Sequence, residues 1–526
     1  PERIELACAP SDSNTIYAVA SDYPTTAGTD VEWFKKSTNG GSSWTNVTIP
    51  TYLSNSSKHF TRGQAWYDLI LWVHPTDKNV VIAGGIDLHR STNGGTSWTS
   101  ISYWNTSQSK PVVHADQHNV ISRPGNNNEI LIGNDGGVYY SANAGNKNNS
   151  APTFSNRVKG YNVTQFYSAA VHPSSGSNYM LAGAQDNGSL KLNTAGVGAG
   201  TEVTGGDGAF CFIDQDNSSY QITSYIRNNW RRSTNGGISF SIIQSANDGS
   251  FINPADYDDN KNILYAAKSA TQLNRITNMT SGSVSTGTIT ISGMSGTATH
   301  VRVSPYTTAS STLFVGSSGD VFKVSSADGS SPTASKISPA SFPSGTVSCV
   351  EIGASENELL VTFSNYGSST VSVWYTANGG TTWVNKEGNL PDMPVRWAMF
   401  NPKNRKEVIL ATELGVYATT DILASTVSWS SSSKGMAITR VDMFQYRAVD
   451  SLIMASTHGR GVFTGRFKTA VIPPSSIPVV NFGADKTTIC IGESVTFSDS
   501  TTNSPTALRW TFTGGTPLTS AATNPV

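Results

Sequence analysis

Along this chain short apolar runs of strand length come in pairs around a turn usually holding proline, with polar links between the pairs. Trp72-Val73-His74-Pro75 leads into Val80-Val81-Ile82-Ala83, and Ala170-Val171-His172-Pro173 leads into Tyr179-Met180-Leu181-Ala182. Further turns centre on Pro10, Pro124, Pro254, Pro305 and Pro402, with proline-free versions near Gln215, Ala354 and Asp450. Neighbouring turns stand roughly 49 residues apart, a spacing that marks one supersecondary unit repeated about ten times.

A second signal runs in phase with the first. The phrase Ser37-Thr38-Asn39-Gly40-Gly41-Ser42-Ser43-Trp44 returns at Ser91 to Trp98, Ser233 to Phe240 and Thr376 to Trp383. Poorer copies begin at Ser141, Ser326 and Thr419, and weak ones stand at Leu192 to Gly196 and Arg275 to Asn278. Asn-Gly supplies the positive φ of a tight hairpin, and the asparagine side chain bonds its own backbone. The tryptophan is expected to cover apolar surface beside the next unit. Each unit therefore reads as strand, turn, strand, short link, strand, Asn-Gly-Gly turn and a last strand opening on Trp. Four antiparallel strands of this kind form a propeller blade. The predicted fold is all-β: a β-propeller over residues 1–470, of about ten units in one large ring or as part of two rings.

The repeated phrase resembles the Asp-box, or bacterial neuraminidase repeat, with Asn39, Asn93, Asn235 and Asn378 in place of the aspartate. Asp328 and Asp421 keep the aspartate in poorer copies.

The texture changes near residue 472. Ile472-Pro473-Pro474-Ser475-Ser476-Ile477-Pro478 predicts a stiff linker over 471–478. Beyond it, Val479 to Phe482, Ser494 to Ser500 and Leu508 to Phe512 alternate as strands, and 479–526 reads as the start of an Ig-like β-sandwich. These segments, led in by Cys490-Ile491-Gly492-Glu493, resemble the polycystic-kidney-disease-type domain of secreted bacterial proteins. The sandwich breaks off before its strands are complete and the first strand begins at once, so the chain is expected to be a piece of a longer protein.

Only 13% of residues are charged, and 35 basic residues face 36 acidic ones. That balance gives no electrostatic case for nucleic acid or an anionic membrane, and no apolar run reaches membrane-spanning length. Cys8, Cys211, Cys349 and Cys490 lack metal-ligand spacing and read as small apolar residues inside strands, with disulfide pairing left open. No cofactor is predicted.

Several stretches outside the box resemble secreted propellers of the sortilin-like and xyloglucanase-like superfamily. They are Gly63 to Asp68, His114 to His118, Gly133 to Tyr139, Ala184 to Gly188, Gly205 to Gly208 and Thr457 to Phe463. The resemblance implies an extracellular protein, secreted or held at a bacterial cell surface as in Bacteroidota, exported by the type IX machinery through a C-terminal signal outside this sequence. Asp450-Ser451-Leu452 and Asp499-Ser500-Thr501 resemble the O-glycosylation sites of that group.

Counting back from each turn places Arg3, Asp68, Asp116, Gln165, Asp207 and Arg396 at equivalent positions, a predicted polar ring at a channel mouth. His114, Asp116 and His118 alternate as if on one strand face. Such a face suits a divalent cation or, equally, a carboxylate orienting an imidazole. Trp66, Tyr67, Trp72 and Trp104 are candidate platforms for sugar rings or wedges between blades.

Three functions follow as expectations. The first is recognition of an extracellular glycan or protein through the propeller face. The second is a glycoside hydrolase acting on a β-glucan-type polysaccharide, which needs two carboxylates in different protonation states. The xyloglucanase-like resemblance points there to Asp135 in Asp135-Gly136-Gly137-Val138-Tyr139, one residue short of the family segment. Asp186 and Glu413 stand at the same stage of their blades and are equally suited to turn formation. The third is a structural part in a surface assembly.

Overall fold

A computed structural model describes residues 1–23, 30–307, 309–367, 370–467, 479–502 and 507–526. The linker expected at 471–478 lies outside the described residues. The described chain is all-β and carries ten repeated antiparallel sheets, nine of four strands and one of three. We number these blades 1 to 10 in chain order.

The chain divides into two compact units, Pro1–Tyr161 and Asn162–Val526. The first holds blades 1 to 3, whose innermost strands are Ile4–Ala9, Ile70–His74 and Gln117–Arg123. A small hairpin of Thr51–Tyr52 and Asn55–His59 lies between blades 1 and 2 in sequence.

The second unit holds blades 4 to 10, with innermost strands Phe166–Val171, Cys211–Ile213, Ala255–Asp258, His300–Val303, Val347–Ile352, Val395–Asn401 and Val441–Arg447. These seven blades close on themselves, because Phe166–Val171 packs against Val441–Arg447. A single large ring is thereby excluded.

Side chains lock that closure. Gln445 Oε1 accepts the Val171 amide at 2.6 Å, and Arg447 donates to the carbonyls of His172 and Ser177 at 3.1 and 2.8 Å. Asp450, itself paired with Arg447 at 2.7 Å, accepts the Gly176 amide at 2.9 Å. The Arg447 guanidinium holds the Asp450 carboxyl down at about 2.

The repeated phrase builds the outer hairpin of blades 1, 2, 5 and 8. Ser37 Oγ accepts the Gly41 amide at 2.9 Å, and Asn39 Oδ1 accepts the Ser43 amide at 2.8 Å. The same bonds recur at Asn93, Asn235 and Asn378. The positive φ falls on the two glycines, 68° at Gly40 and 91° at Gly41, and the asparagine serves as the side-chain acceptor. An aspartate would accept the same bonds, which accounts for the exchange.

The tryptophans point the other way from the sequence expectation. Trp98 Nε1 donates to Thr48 O in the preceding blade at 2.7 Å, and its ring lies 5.4 Å from Phe34. Trp383 and Trp429 likewise reach back to Ile337 O and Lys386 O, at 2.8 and 3.0 Å. Strand alternation is the reason. Thr99 pairs with Arg90 and shares its face, so Trp98, one residue earlier, takes the opposite face. Arg90 accordingly reaches forward and donates to the Ala144 and Asn146 carbonyls of blade 3 at 2.7 and 3.0 Å.

The cores are sheets of interdigitated aliphatic and aromatic side chains between neighbouring blades, with Trp230, Tyr17 and Tyr265 among the largest fully buried. In the channel of the second unit, Asp256 accepts the Val303 amide at 2.8 Å and Arg302 pairs with Glu351 at 3.2 Å. The four cysteines are free thiols. Cys211 and Cys349 are buried as expected, whereas Cys8 and Cys490 are exposed.

Beyond the propeller, Phe482–Ala484 pairs with Phe497–Asp499, and Trp510–Thr511 pairs with Thr519–Ser520. Phe482, Phe497, Trp510 and Phe512 pack there as an aromatic cluster.

Candidate functional site

The six residues expected to form one ring fall into two sets. Arg3, Asp68 and Asp116 belong to the first unit, and Gln165, Asp207 and Arg396 to the second.

In the first unit a two-residue turn, Asp135-Gly136, joins the second and third strands of blade 3, with Asn134 paired to Gly137. Gly136 is required there, since a Cβ on it would lie 2.4 Å from the His114 ring. The turn presents Asp135 to three neighbours. Tyr67 donates its hydroxyl to both Asp135 oxygens at 3.0 and 2.9 Å, and His118 Nε2 donates to Oδ1 at 2.6 Å. The Asp135 amide in turn donates to Asp116 O at 3.3 Å.

Asp116 bonds Gln64 Nε2 at 3.1 Å, and burial followed by the charge of Asp135 raises its carboxyl. Asp68 lies beside it, fully buried, with no N–H or O–H donor in bonding geometry at either oxygen among the described residues. Burial, and after it the Asp116 charge, pushes Asp68 up to about 9. A carboxyl buried beside another carboxylate, with no donor among the described residues to offset it, disfavours its charged form, which is the physical cause of that shift.

Trp66 and Tyr67 flank this acid group at the surface, 55% and 37% exposed, with ring centroids 5.4 Å apart. Arg3 fixes the backbone beneath them through Leu69 O at 2.9 Å and Tyr67 O at 2.5 Å. Trp104 is also exposed and donates to the Tyr52 hydroxyl at 3.0 Å. Trp72 is buried and bonded to Ser122 Oγ at 3.1 Å, so it serves the core.

His114, Asp116 and His118 do not share a strand face. Asp116 has φ of 64°, which breaks the alternation just before the strand begins at Gln117. His114 bonds Ala115 O, His118 bonds Asp135, and Asp116 bonds Gln64. No group of His, Cys, Asp or Glu suited to a metal ion occurs among the described residues. The imidazole oriented by a carboxylate does exist, but the carboxylate belongs to Asp135.

In the second unit the corresponding turns carry carboxylates closed by cations or amides. Arg396 donates to Glu413 from Nε at 2.8 Å and again from its terminal nitrogen. Arg440 pairs with Asp442 at 2.6 Å, and His458 Nδ1 lies 3.5 Å from the same residue. Gln165 forms a backbone bridge with His458, and Tyr167 donates to Gln185 at 2.9 Å. Asp207 accepts the amide of Asp186, whose φ of 56° marks it as a turn former. Arg440, Asp442, Tyr167 and His458 as a group were not foreseen. The signal was present in phase, because Thr457-His458-Gly459 occupies the same turn as Asn134-Asp135-Gly136.

Ser451 of the possible O-glycosylation triplet is buried and accepts a bond from Lys403 Nζ at 2.7 Å, so it is closed to modification in the folded chain.

Repeated antiparallel sheets, six of four strands and one of three in a closed ring, define this chain as a β-propeller protein. No family model matches it, and no curated protein matches it. Among solved structures, a GH74 enzyme of Niastella koreensis is similar over 88% of this chain and 83% of its own, at 15% identity and a TM-score of 0.30. The computationally designed Ika8 protein is similar over 76% of this chain and 96% of its own, at 10% identity and a TM-score of 0.39. Likenesses this distant say nothing about what the chain binds or does.

Proposed function

We propose that this chain is a secreted or surface-displayed recognition protein that binds glycan through the aromatic and acidic surface of its first unit. The carrying observation is the exposed Trp66–Tyr67 pair set directly beside Asp135 and His118. Ring faces take the C–H face of a sugar while a carboxylate and an imidazole take its hydroxyls, a pairing of apolar platform and few fixed polar groups typical of ligand sites. Low charge and abundant Ser, Thr and Asn accord with an extracellular setting. A glycan array on the full chain, repeated with Trp66→Ala, tests this. Binding of a glycan class that falls roughly tenfold or more in the variant is expected, and an array with no signal above control ends the reading.

A second reading, hydrolysis of a β-glucan-type polysaccharide, is favoured by one observation. Asp68, buried beside Asp116, has its carboxyl pushed up to about 9 by burial within the same acid group that holds Asp135, the direction a general acid needs. Against it, Asp68 is fully buried, Asp135 is engaged by Tyr67 and His118, and Glu413 is tied by Arg396. Reducing-sugar release from a polysaccharide panel, lost in Asp135→Asn, would favour hydrolysis over binding alone.

A further inference from the structure

Blade 10 has three strands among the described residues, ending in Val462–Gly465, where every other blade has four. Between blades 9 and 10 lies a cavity of about 430 Å³. Ala418, Ser430 and Ser432 line it on the blade 9 side, and Ala455, Phe463 and Gly465 on the blade 10 side. That volume falls within the range of ligand pockets, roughly 300–1,000 Å³.

Other blades show what fills this place. The core between blades 1 and 2 takes Trp98, that between 7 and 8 takes Trp383, and that between 8 and 9 takes Trp429. Each ring comes from the head of the following blade's fourth strand. The register carries over to blade 10. Val373–Thr376 in blade 8 pairs with its inner neighbour as Val462–Gly465 does in blade 10, so Gly465 corresponds to Thr376, the residue opposite Trp383. Space at Gly465 is open, with no atom of the described residues within 4 Å of an added Cβ.

The acceptor is in place as well. Ile337 and Lys386 donate their amides to the third strand of their own blades and offer their carbonyls to Trp383 and Trp429. Ser432 donates its amide to Val416 O at 2.7 Å in the same manner, which puts its carbonyl at the matching point of the cavity wall.

We infer that this cavity is a docking site for an extended segment of a partner polypeptide, which pairs antiparallel with Val462–Gly465 and seats a tryptophan against the Ser432 carbonyl. Strand addition at an exposed edge gives affinity through main-chain bonds and specificity through the side-chain pocket. Trp98, Trp383 and Trp429 are each engaged against the preceding blade, Trp510 bonds Ala522 O at 2.8 Å, and residues 468–480 contain no tryptophan.

The test is fluorescence polarisation on the full chain with a labelled synthetic peptide of sequence 94–103, which carries Trp98 at the head of a strand. Saturable binding is expected, roughly tenfold or more weaker for the same peptide with Trp98→Ala, as for an aromatic anchor. Ala418→Trp, which fills the cavity, and Ser430→Arg, an exposed change that leaves the core intact, should each weaken binding to a similar degree. Thermal melting confirms that both variants fold. Absence of saturable binding, equal affinity for the two peptides, or unaltered binding by Ser430→Arg overturns the inference. So does a dimer in sedimentation whose formation blocks the peptide, because the occupant is then a second copy of this chain.

Discussion

The acid group of the first unit and the mouth of the second are built from the same blade turns but neutralised differently. Around Asp135, Asp116 and Asp68 the partners are a tyrosine, a histidine, a glutamine amide and one another. Around Glu413 and Asp442 they are the guanidinium groups of Arg396 and Arg440. A guanidinium closes a carboxylate with a fixed fork and leaves little for a ligand. Tyrosine and histidine hold a carboxylate in place yet leave it at the surface beside two aromatic rings. A shared propeller position therefore does not decide chemistry; the residue facing the turn does.

The largest way to break this contrast is to remove a guanidinium from a buried pair. Arg447→Ala leaves Asp450 uncompensated and strips the ring closure of two carbonyl bonds, with an expected loss of about 3–5 kcal/mol in urea unfolding. Asp450 is depressed in the folded state, so its contribution is present above its unfolded pKa near 3.8 and is lost as pH falls toward about 2. Stability curves between pH 5 and 2 should show that acid-sensitive contribution in the parent chain and not in the variant.

The first unit predicts the opposite sign. Asp68 is raised in the folded state, so between about pH 4 and 9 the folded chain keeps a proton that the unfolded chain has lost. Stability of this unit should then fall as pH rises, by up to about 1.4 kcal/mol per pH unit for one proton. Asp68→Asn should flatten that slope and raise stability at pH 8 by about 1–3 kcal/mol, with no gain at pH 4. A variant less stable than the parent at pH 8 would show that Asp68 does not hold a proton.

A smaller effect follows from making the two regions alike. Arg396→Gln removes the fork from Glu413, which is partly exposed, and should cost no more than about 1 kcal/mol in thermal unfolding. Comparable in size is Tyr67→Phe, which deletes one hydroxyl bond to Asp135 and should cost about 0.5–1.5 kcal/mol. If the glycan reading holds, Tyr67→Phe weakens binding on the array while Arg396→Gln leaves it unchanged.

The blades were readable because the chain carries local evidence in phase: a turn of fixed chemistry after Ser37, Ser91, Ser233 and Thr376, and paired apolar runs around a turn before it. Direction and closure were not. That Trp98 packs backward depends on its being one residue out of step with the pair Arg90–Thr99, a matter of register across strands. The alignment of His114, Asp116 and His118 failed at one left-handed residue that no period reveals. Gln165 and His458 stand nearly three hundred residues apart in sequence, and only ring closure brings them together. Asp135 and Tyr67 were each singled out, but their bond joins two blades and is invisible to spacing.

The closure of the second unit also bears on how the chain would respond to a mechanical load. Within a blade, strands are joined by ladders of main-chain bonds that resist shear together. Between blades 10 and 4, the last and first of the ring, the join is an apolar layer that packs Phe166 and Val171 with Leu452 and Met454, crossed by Gln445, Arg447 and Asp450 and by main-chain contacts at Gln165 and Thr164. Tension that draws Phe166–Val171 away from Val441–Arg447 parts that apolar layer and the bonds that cross it, and spares the sheets. The seam would act as a fuse, yielding first and letting the ring spring open while its blades stay folded.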